Sequence, residues 1–239
     1  MSLRIGFDMD GVLADFEAAF RDVEVRLFGP ADHVDGGQPE NEEETQSAAG
    51  PGDVDEGAEE KDRVVSTREQ RRRRDAIWRA IQATPDFWET LAPTDAGAVR
   101  RVHEMMLRHR WEVFFITQRP ATEGQTVQRQ TQRWLVKQGF DLPSVLVIHG
   151  SRGAAAGALR LDYHVDDNAQ NCLDVISDSK ARPILVTPDC DEAAVASARK
   201  LGIGTAASIG ECLVMLEKAS VARTQPGFLA RIAEAVGWT

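Results

Sequence analysis

The chain reads as an α/β protein: a doubly wound, parallel five-stranded sheet with a small helical cap inserted after the first strand. Three observations predict this. Short apolar runs recur along the sequence, and each is followed by a stretch of helical periodicity, the alternation that places a parallel sheet between two helical layers. The runs that end near residues 8, 117 and 166 stop at Asp or Thr, polar residues suited to strand-to-helix turns. About a hundred residues separate the first run from the second, too many for an ordinary loop, so they need a substructure of their own.

Residues 3–7 form the first strand. Residues 14–28 are helical, with Phe16, Phe20, Val23 and Leu27 on one side. A second helix is expected over 66–83, where Ile77, Trp78 and Ile81 share a face and Arg68, Arg71, Arg72, Arg73 and Arg74 form a solvated basic run. A helix over 95–109 is expected to be capped by Thr94 or Asp95. Residues 111–117 make a nearly continuous apolar strand, and a helix over 122–138 stops at Gly139. Strands over 145–148, 163–165 and 183–186 then alternate with helices over 153–159, 168–177 and 192–201. Two closing helices lie near 210–218 and 227–236. The core is assigned to residues 1–16 and 92–239, and the cap to 17–91.

Composition sets outer limits. The chain has 239 residues, 42% apolar and 28% charged, enough for a sizeable buried core. No run approaches the roughly 20 apolar residues of a membrane-spanning helix. The first ten residues carry Arg4, Asp8 and Asp10 where a secretory leader needs an apolar stretch, and Cys172, Cys190 and Cys212 form no Cys-x-x-Cys pair. A cytoplasmic location is the expectation. The net charge of −10 belongs to one segment: residues 30–62 hold twelve acids and one base, and no aromatic, Leu or Ile. Such a segment buries too little to offset its ordering entropy, so a disordered acidic insertion is expected there. Neither a membrane nor a nucleic-acid polymer is an expected partner, and the sequence leaves open whether the chain forms a homodimer.

In open parallel sheets the chemistry gathers at the carboxyl ends of the strands. Those ends read Asp8-Met9-Asp10-Gly11-Val12, Thr117-Gln118-Arg119-Pro120, Gly150-Ser151-Arg152-Gly153 and Asp166-Asp167-Asn168. A bare Asp-x-Asp is cheap, since Asp53/Asp55 and Asp189/Asp191 repeat it. Placement carries the weight, because any one of these residues alone would be a turn or cap, whereas the four ends in this order bring carboxylates, a hydroxyl and a cation to one rim.

The segment Asp8-Met9-Asp10-Gly11-Val12-Leu13-Ala14-Asp15-Phe16 resembles the first motif of the haloacid-dehalogenase-like (HAD) phosphohydrolases, and is closest to their 5′(3′)-deoxyribonucleotidase branch. Thr117 falls on the second motif and Asp166-Asp167 on the fourth. The resemblance implies a Mg²⁺-dependent phosphomonoester hydrolase, with a nucleoside monophosphate as leading substrate and another small phosphorylated metabolite as the alternative. By that resemblance Asp8 attacks phosphorus and forms an aspartyl-phosphate, while Asp10 protonates the leaving alcohol and later takes a proton from water. The implied Mg²⁺ ligands are Asp8, the backbone carbonyl of Asp10, and Asp167, with Asp166 as the alternative. Thr117 would donate to a phosphoryl oxygen, and Phe16 would lie near the nucleobase.

The third motif departs from the family pattern, which has a Lys. No Lys occurs between Gln138 and Asp166. Arg152 is assigned the lysine's role, with Arg160 as second choice, although a guanidinium fork is not an ammonium point charge. That departure also admits a different class of reading: a protein that keeps the fold but has lost turnover and serves in binding or regulation.

Overall fold

The computed structural model describes residues 2–30, 56–188 and 192–224. At its centre is a parallel sheet of β1 (Arg4–Asp8), β2 (Glu112–Thr117), β3 (Ser144–Val147), β4 (Tyr163–Asp166), β5 (Arg182–Val186) and β6 (Gly204–Ala206), ordered β3-β2-β1-β4-β5-β6. Among the described residues six strands are present where five were expected. The additional one pairs with β5 through Ile184↔Gly204 and Val186↔Ala206. Its three residues, Gly-Thr-Ala, carry neither an alternation nor an apolar run, so nothing in the pattern marks them.

Around the sheet lie α1 (Phe16–Phe28), α2 (Glu56–Gln82), a 3-10 turn (Phe87–Glu89), α3 (Ala98–His109), α4 (Val127–Lys137), α5 (Arg152–Ala158), α6 (Ala169–Asp178), α7 (Glu192–Lys200) and α8 (Ile209–Thr224). Successive strand side chains point to opposite faces. Phe7, Phe115, Val165 and Ile184 therefore share one core with Val102 of α3, Trp134 of α4 and Leu216 of α8. The alternate residues Phe114 and Ile116 meet Ala156 of α5 and Val175 of α6, and Leu185 meets Cys172 of α6 and Ala198 of α7. The sheet is covered on both faces, the doubly wound arrangement.

Several boundaries differ from expectation. Helix α2 starts at Glu56, ten residues before the predicted start, so the last part of the acidic segment is helical. Scarcity of apolar residues argues against burial but not against helix: Glu, Ala, Lys and Arg are good helix formers, and acids in the first turns complement the positive helix end. Residues 31–55 of that segment, Cys190 and the predicted helix over 227–236 lie outside the described residues. Neither Thr94 nor Asp95 caps α3. Gly97 (φ 85°) occupies the N-cap position, while Thr94 Oγ1 donates to the Val12 carbonyl at 2.8 Å and Asp95 pairs with Arg101. Helix α4 begins at Val127, capped by Thr126, rather than near 122. Among the described residues, no helix is long and apolar enough to cross a membrane.

The strand order positions the site. From β1 the chain proceeds through β2 to β3 on one side, then returns to lay β4 against the other side of β1. The crevice at such a reversal is where ligands bind in open α/β sheets. Phe7 and Val165 are in register, so Asp8 and Asp166, the next residue of each strand, emerge side by side.

Candidate active site

Asp8 closes β1, and the chain leaves it through a tight turn. The Leu13 and Ala14 amides both donate to the Met9 carbonyl, at 2.9 and 2.8 Å, and the Gly11 amide donates to the Ala14 carbonyl. Buried Met9, Val12 and Leu13 anchor the turn in the core. Gly11 is required twice over. Its φ is +75°, and a Cβ there would sit 1.9 Å from Asp167 Oδ2, so the Asp167 carboxylate rests against the turn that any side chain would block.

Carboxylate oxygens of Asp8, Asp166 and Asp167 all lie within 4.8 Å of one another. Asp166 is buried and its oxygens are occupied: His164 Nε2 lies 3.0 Å from Oδ2, while the Asn168 amide and Asn171 Nδ2 each donate to Oδ1 at 3.0 Å. Burial acts to raise this carboxyl, but the hydrogen bond and field of His164, with the Asn171 and Asn168 contacts, outweigh it and hold Asp166 below the ordinary carboxylate range. Asp8 goes the other way. Burial and then the Asp166 charge push it well above its ordinary value against the pull of Arg152. Asp167 is pushed up to about 7 by desolvation of its carboxyl and by Asp166, although the residue as a whole is exposed.

Arg152 is the first residue of α5, capped by Ser151, and is 5% exposed. Its Nη2 donates to Asp8 Oδ1 at 2.6 Å, its Nε lies 3.6 Å from Asp166 Oδ2, and its Nη1 has no hydrogen-bond partner. Close packing of α5 on α6 delivers it there: a Cβ on Gly153 would lie 2.0 Å from the Asp174 carbonyl oxygen. Arg160 stands at the opposite, amino-terminal rim of the sheet, in a cavity of about 1060 Å³ shared with Lys180 and Arg182. That cavity is the larger of the two but holds none of the clustered carboxylates, so of the two arginines only Arg152 is placed at the cluster. Thr117 closes β2, 1% exposed, with its Oγ1 unpartnered.

The site cavity, about 250 Å³, is floored by Asp8, Asp10 and Asp167 and walled by Phe16, Trp78 and Trp88. Phe16 stacks on Trp78 (5.5 Å between centroids, 23°) and tilts against Trp88 (5.7 Å). Phe87 and Trp88 are buried, and Trp78 and Trp88 both line the cavity. The Asp10 carboxylate does not join the three-carboxylate cluster. It is clamped by Arg119, to which sequence reasoning gave no role, although Arg119 follows Thr117 by two positions at the same strand end. His164 and Asn171, which hold Asp166, were missed as well. Strand parity is the signal that marks His164, two residues before Asp166 on the same face.

Three oxygen-rich side chains at this spacing form a hard donor set that fits Mg²⁺ better than a softer metal, and the Asp8 and Asp167 carboxyls are raised first by desolvation and then by the Asp166 charge, a repulsion that a cation would relieve.

The sequence matches no known family profile and no curated relative. Solved structures with a similar arrangement include a haloacid dehalogenase-like family hydrolase from Streptococcus pneumoniae (12% identity, TM-score 0.48, covering 90% of this chain and 98% of that one). Two others are a family IA HAD hydrolase from Entamoeba histolytica (10%, 0.45, 88% and 95%) and a 2-haloacid dehalogenase from Pseudomonas syringae (14%, 0.40, 91% and 99%). Likeness at this level leaves the functional reading to the geometry of the site itself.

Proposed function

We propose that the chain is a Mg²⁺-dependent phosphomonoester hydrolase of the HAD-like superfamily, acting on nucleoside monophosphates through a phosphorylated Asp8. The observation that carries the reading is the set around Asp8: a buried carboxylate held by Arg152 at 2.6 Å, with Arg152 Nη1 and Thr117 Oγ1 left as buried donors without partners. An unsatisfied buried polar group costs about 1–3 kcal/mol. Anionic phosphoryl oxygens would recover that cost.

In the first step an Asp8 carboxylate oxygen attacks phosphorus, the phosphorus–oxygen bond to the alcohol breaks, and Asp10 gives its proton to the departing oxygen. In the second step water attacks the same phosphorus, its proton passes to Asp10, and Asp8 leaves with its electron pair. Arg152 and Thr117 hold the phosphoryl oxygens throughout. Asp8, the Asp10 backbone carbonyl and Asp167 would hold Mg²⁺, which would supply charge neutralisation when bound; Asp166, with its oxygens already engaged, fixes the neighbouring groups. The described parts of the cap, residues 17–30 and 56–91, shield the chemistry from water, and the aromatic wall made by cap residues Trp78 and Trp88 with Phe16 at the cap's root favours a planar leaving group such as a nucleoside.

The test is phosphate release from ribo- and deoxyribonucleoside monophosphates beside sugar phosphates, with and without Mg²⁺. Mg²⁺-dependent release that Asp8→Asn abolishes is expected. Preference for sugar phosphates would move the substrate class to the smaller metabolites, and folded protein silent on the whole panel would favour a binding role.

A further inference from the structure

Arg119 is 2% exposed, yet every side of its guanidinium is engaged. Nε donates to Asp10 Oδ2 at 2.9 Å and lies 3.2 Å from Oδ1; Nη2 donates to Oδ1 at 2.6 Å. Nη1 donates to Thr131 Oγ1 of α4 at 3.1 Å, and the guanidinium carbon lies 4.7 Å from the Trp88 ring centroid. Trp88 is itself fixed, its backbone amide donating to Gln130 Oε1 and its indole Nε1 to the Pro120 carbonyl, both at 3.0 Å.

We propose that Arg119 is the positioning residue of the acid–base step: it locks the Asp10 carboxylate into one orientation at the rim, and Trp88 and Thr131 lock Arg119. The inference rests on the phosphoryl-transfer reading above. Asp10 sits on a turn beside three other carboxylates, with a quarter of its side chain exposed, so repulsion alone would swing it away from them. A planar fork fixes both the position and the plane of a carboxylate, which a point charge does not. Oδ1 takes two contacts from Arg119 and Oδ2 one strong contact, so Oδ2 keeps the lone pair that carries the proton. That proton goes from Oδ2 to the ester oxygen as the phosphorus–oxygen bond breaks and that oxygen keeps the electron pair, and Oδ2 is refilled from water in the second step.

Protonation of the leaving oxygen matters for an alkyl ester and little for an aryl ester whose phenolate leaves unaided. The experiment follows single-turnover release of the leaving group in Mg²⁺, from the best nucleoside monophosphate of the panel and from p-nitrophenyl phosphate. Arg119→Met is expected to slow alkyl release by about 10–100-fold, with a loss at least ~10-fold smaller on the aryl ester. Added to Asp10→Asn it is expected to cost less than ~2-fold, because residues acting as one unit are not additive. Should Arg119→Met fail to fold, Arg119→Lys, which keeps the charge but not the fork, carries the same readouts. Equal losses on the two esters, or a full further loss in the Asp10→Asn background, would reduce Arg119 to a structural residue while leaving the hydrolase reading intact. Wild-type protein that releases no leaving group from either ester would refute both.

Discussion

Replacing Asp167 by Asn removes one of three carboxylates held within 4.8 Å of one another. The Asp167 carboxyl stands at about 7 against an ordinary 3.8, the direction in which its ionised form destabilises the folded state. The penalty is absent below about pH 4, where the group is protonated folded or unfolded, grows as pH rises, and is complete above about pH 7. A shift of this size in a fully buried group would correspond to about 4 kcal/mol, but the residue is exposed, and solvent screening leaves about 1 kcal/mol. For a chain of this length that is a change in Tm of roughly 2–4 °C. Thermal unfolding of metal-free protein is therefore expected to show Asp167→Asn above wild type at pH 8 and level with it at pH 4. Mg²⁺ at a hundred times its Kd would stabilise wild type by about 2.7 kcal/mol and the variant by much less. An Asp167→Asn protein that melts below wild type at pH 8, yet gains as much from Mg²⁺, would refute both the penalty from desolvation and the Asp166 charge and the assignment of Asp167 as a ligand.

Arg152→Ala leaves the buried Asp8 without its 2.6 Å partner and is expected to lower kcat by about 10²-fold or more, with Arg152→Lys recovering part of the loss in steady-state assays. Gly11→Ala would force a side chain onto the Asp167 carboxylate from a turn at φ +75°; loss of Mg²⁺-induced stabilisation and a destabilisation above ~1 kcal/mol are expected in calorimetry. Gly153→Ala, 2.0 Å from a backbone oxygen of α6, is expected to cost about 1–3 kcal/mol and to lower kcat with it, because α5 must shift and carries Arg152.

Much of the fold is legible in the sequence because its signals are local. The five longer strands are apolar runs of four to six residues, each within a residue or two of its predicted bounds. Strand β6 escaped because Gly-Thr-Ala becomes a strand only by pairing with β5, a tertiary effect. The start of α2 was misplaced because composition was read for burial, whereas helix propensity governs residues 56–66. At the site, Asp8, Thr117, Arg152 and Asp166 were found by the rule that strand ends face the crevice. Arg119 obeys the same rule, yet its partner Asp10 lies 109 positions away, and the sequence alone does not say which cation meets which carboxylate. The larger basic cavity around Arg160 shows the converse: without knowing which rim a residue occupies, two arginines eight positions apart look interchangeable.

The central claim is that phosphorus passes through Asp8. Acid-quenched protein, taken within the first turnover of the best substrate and mapped by peptide mass, is expected to carry one phosphoryl group on the peptide containing Asp8, and none in Asp8→Asn. Turnover with no phosphopeptide at any quench time, or with the phosphoryl group on another residue, would contradict the account.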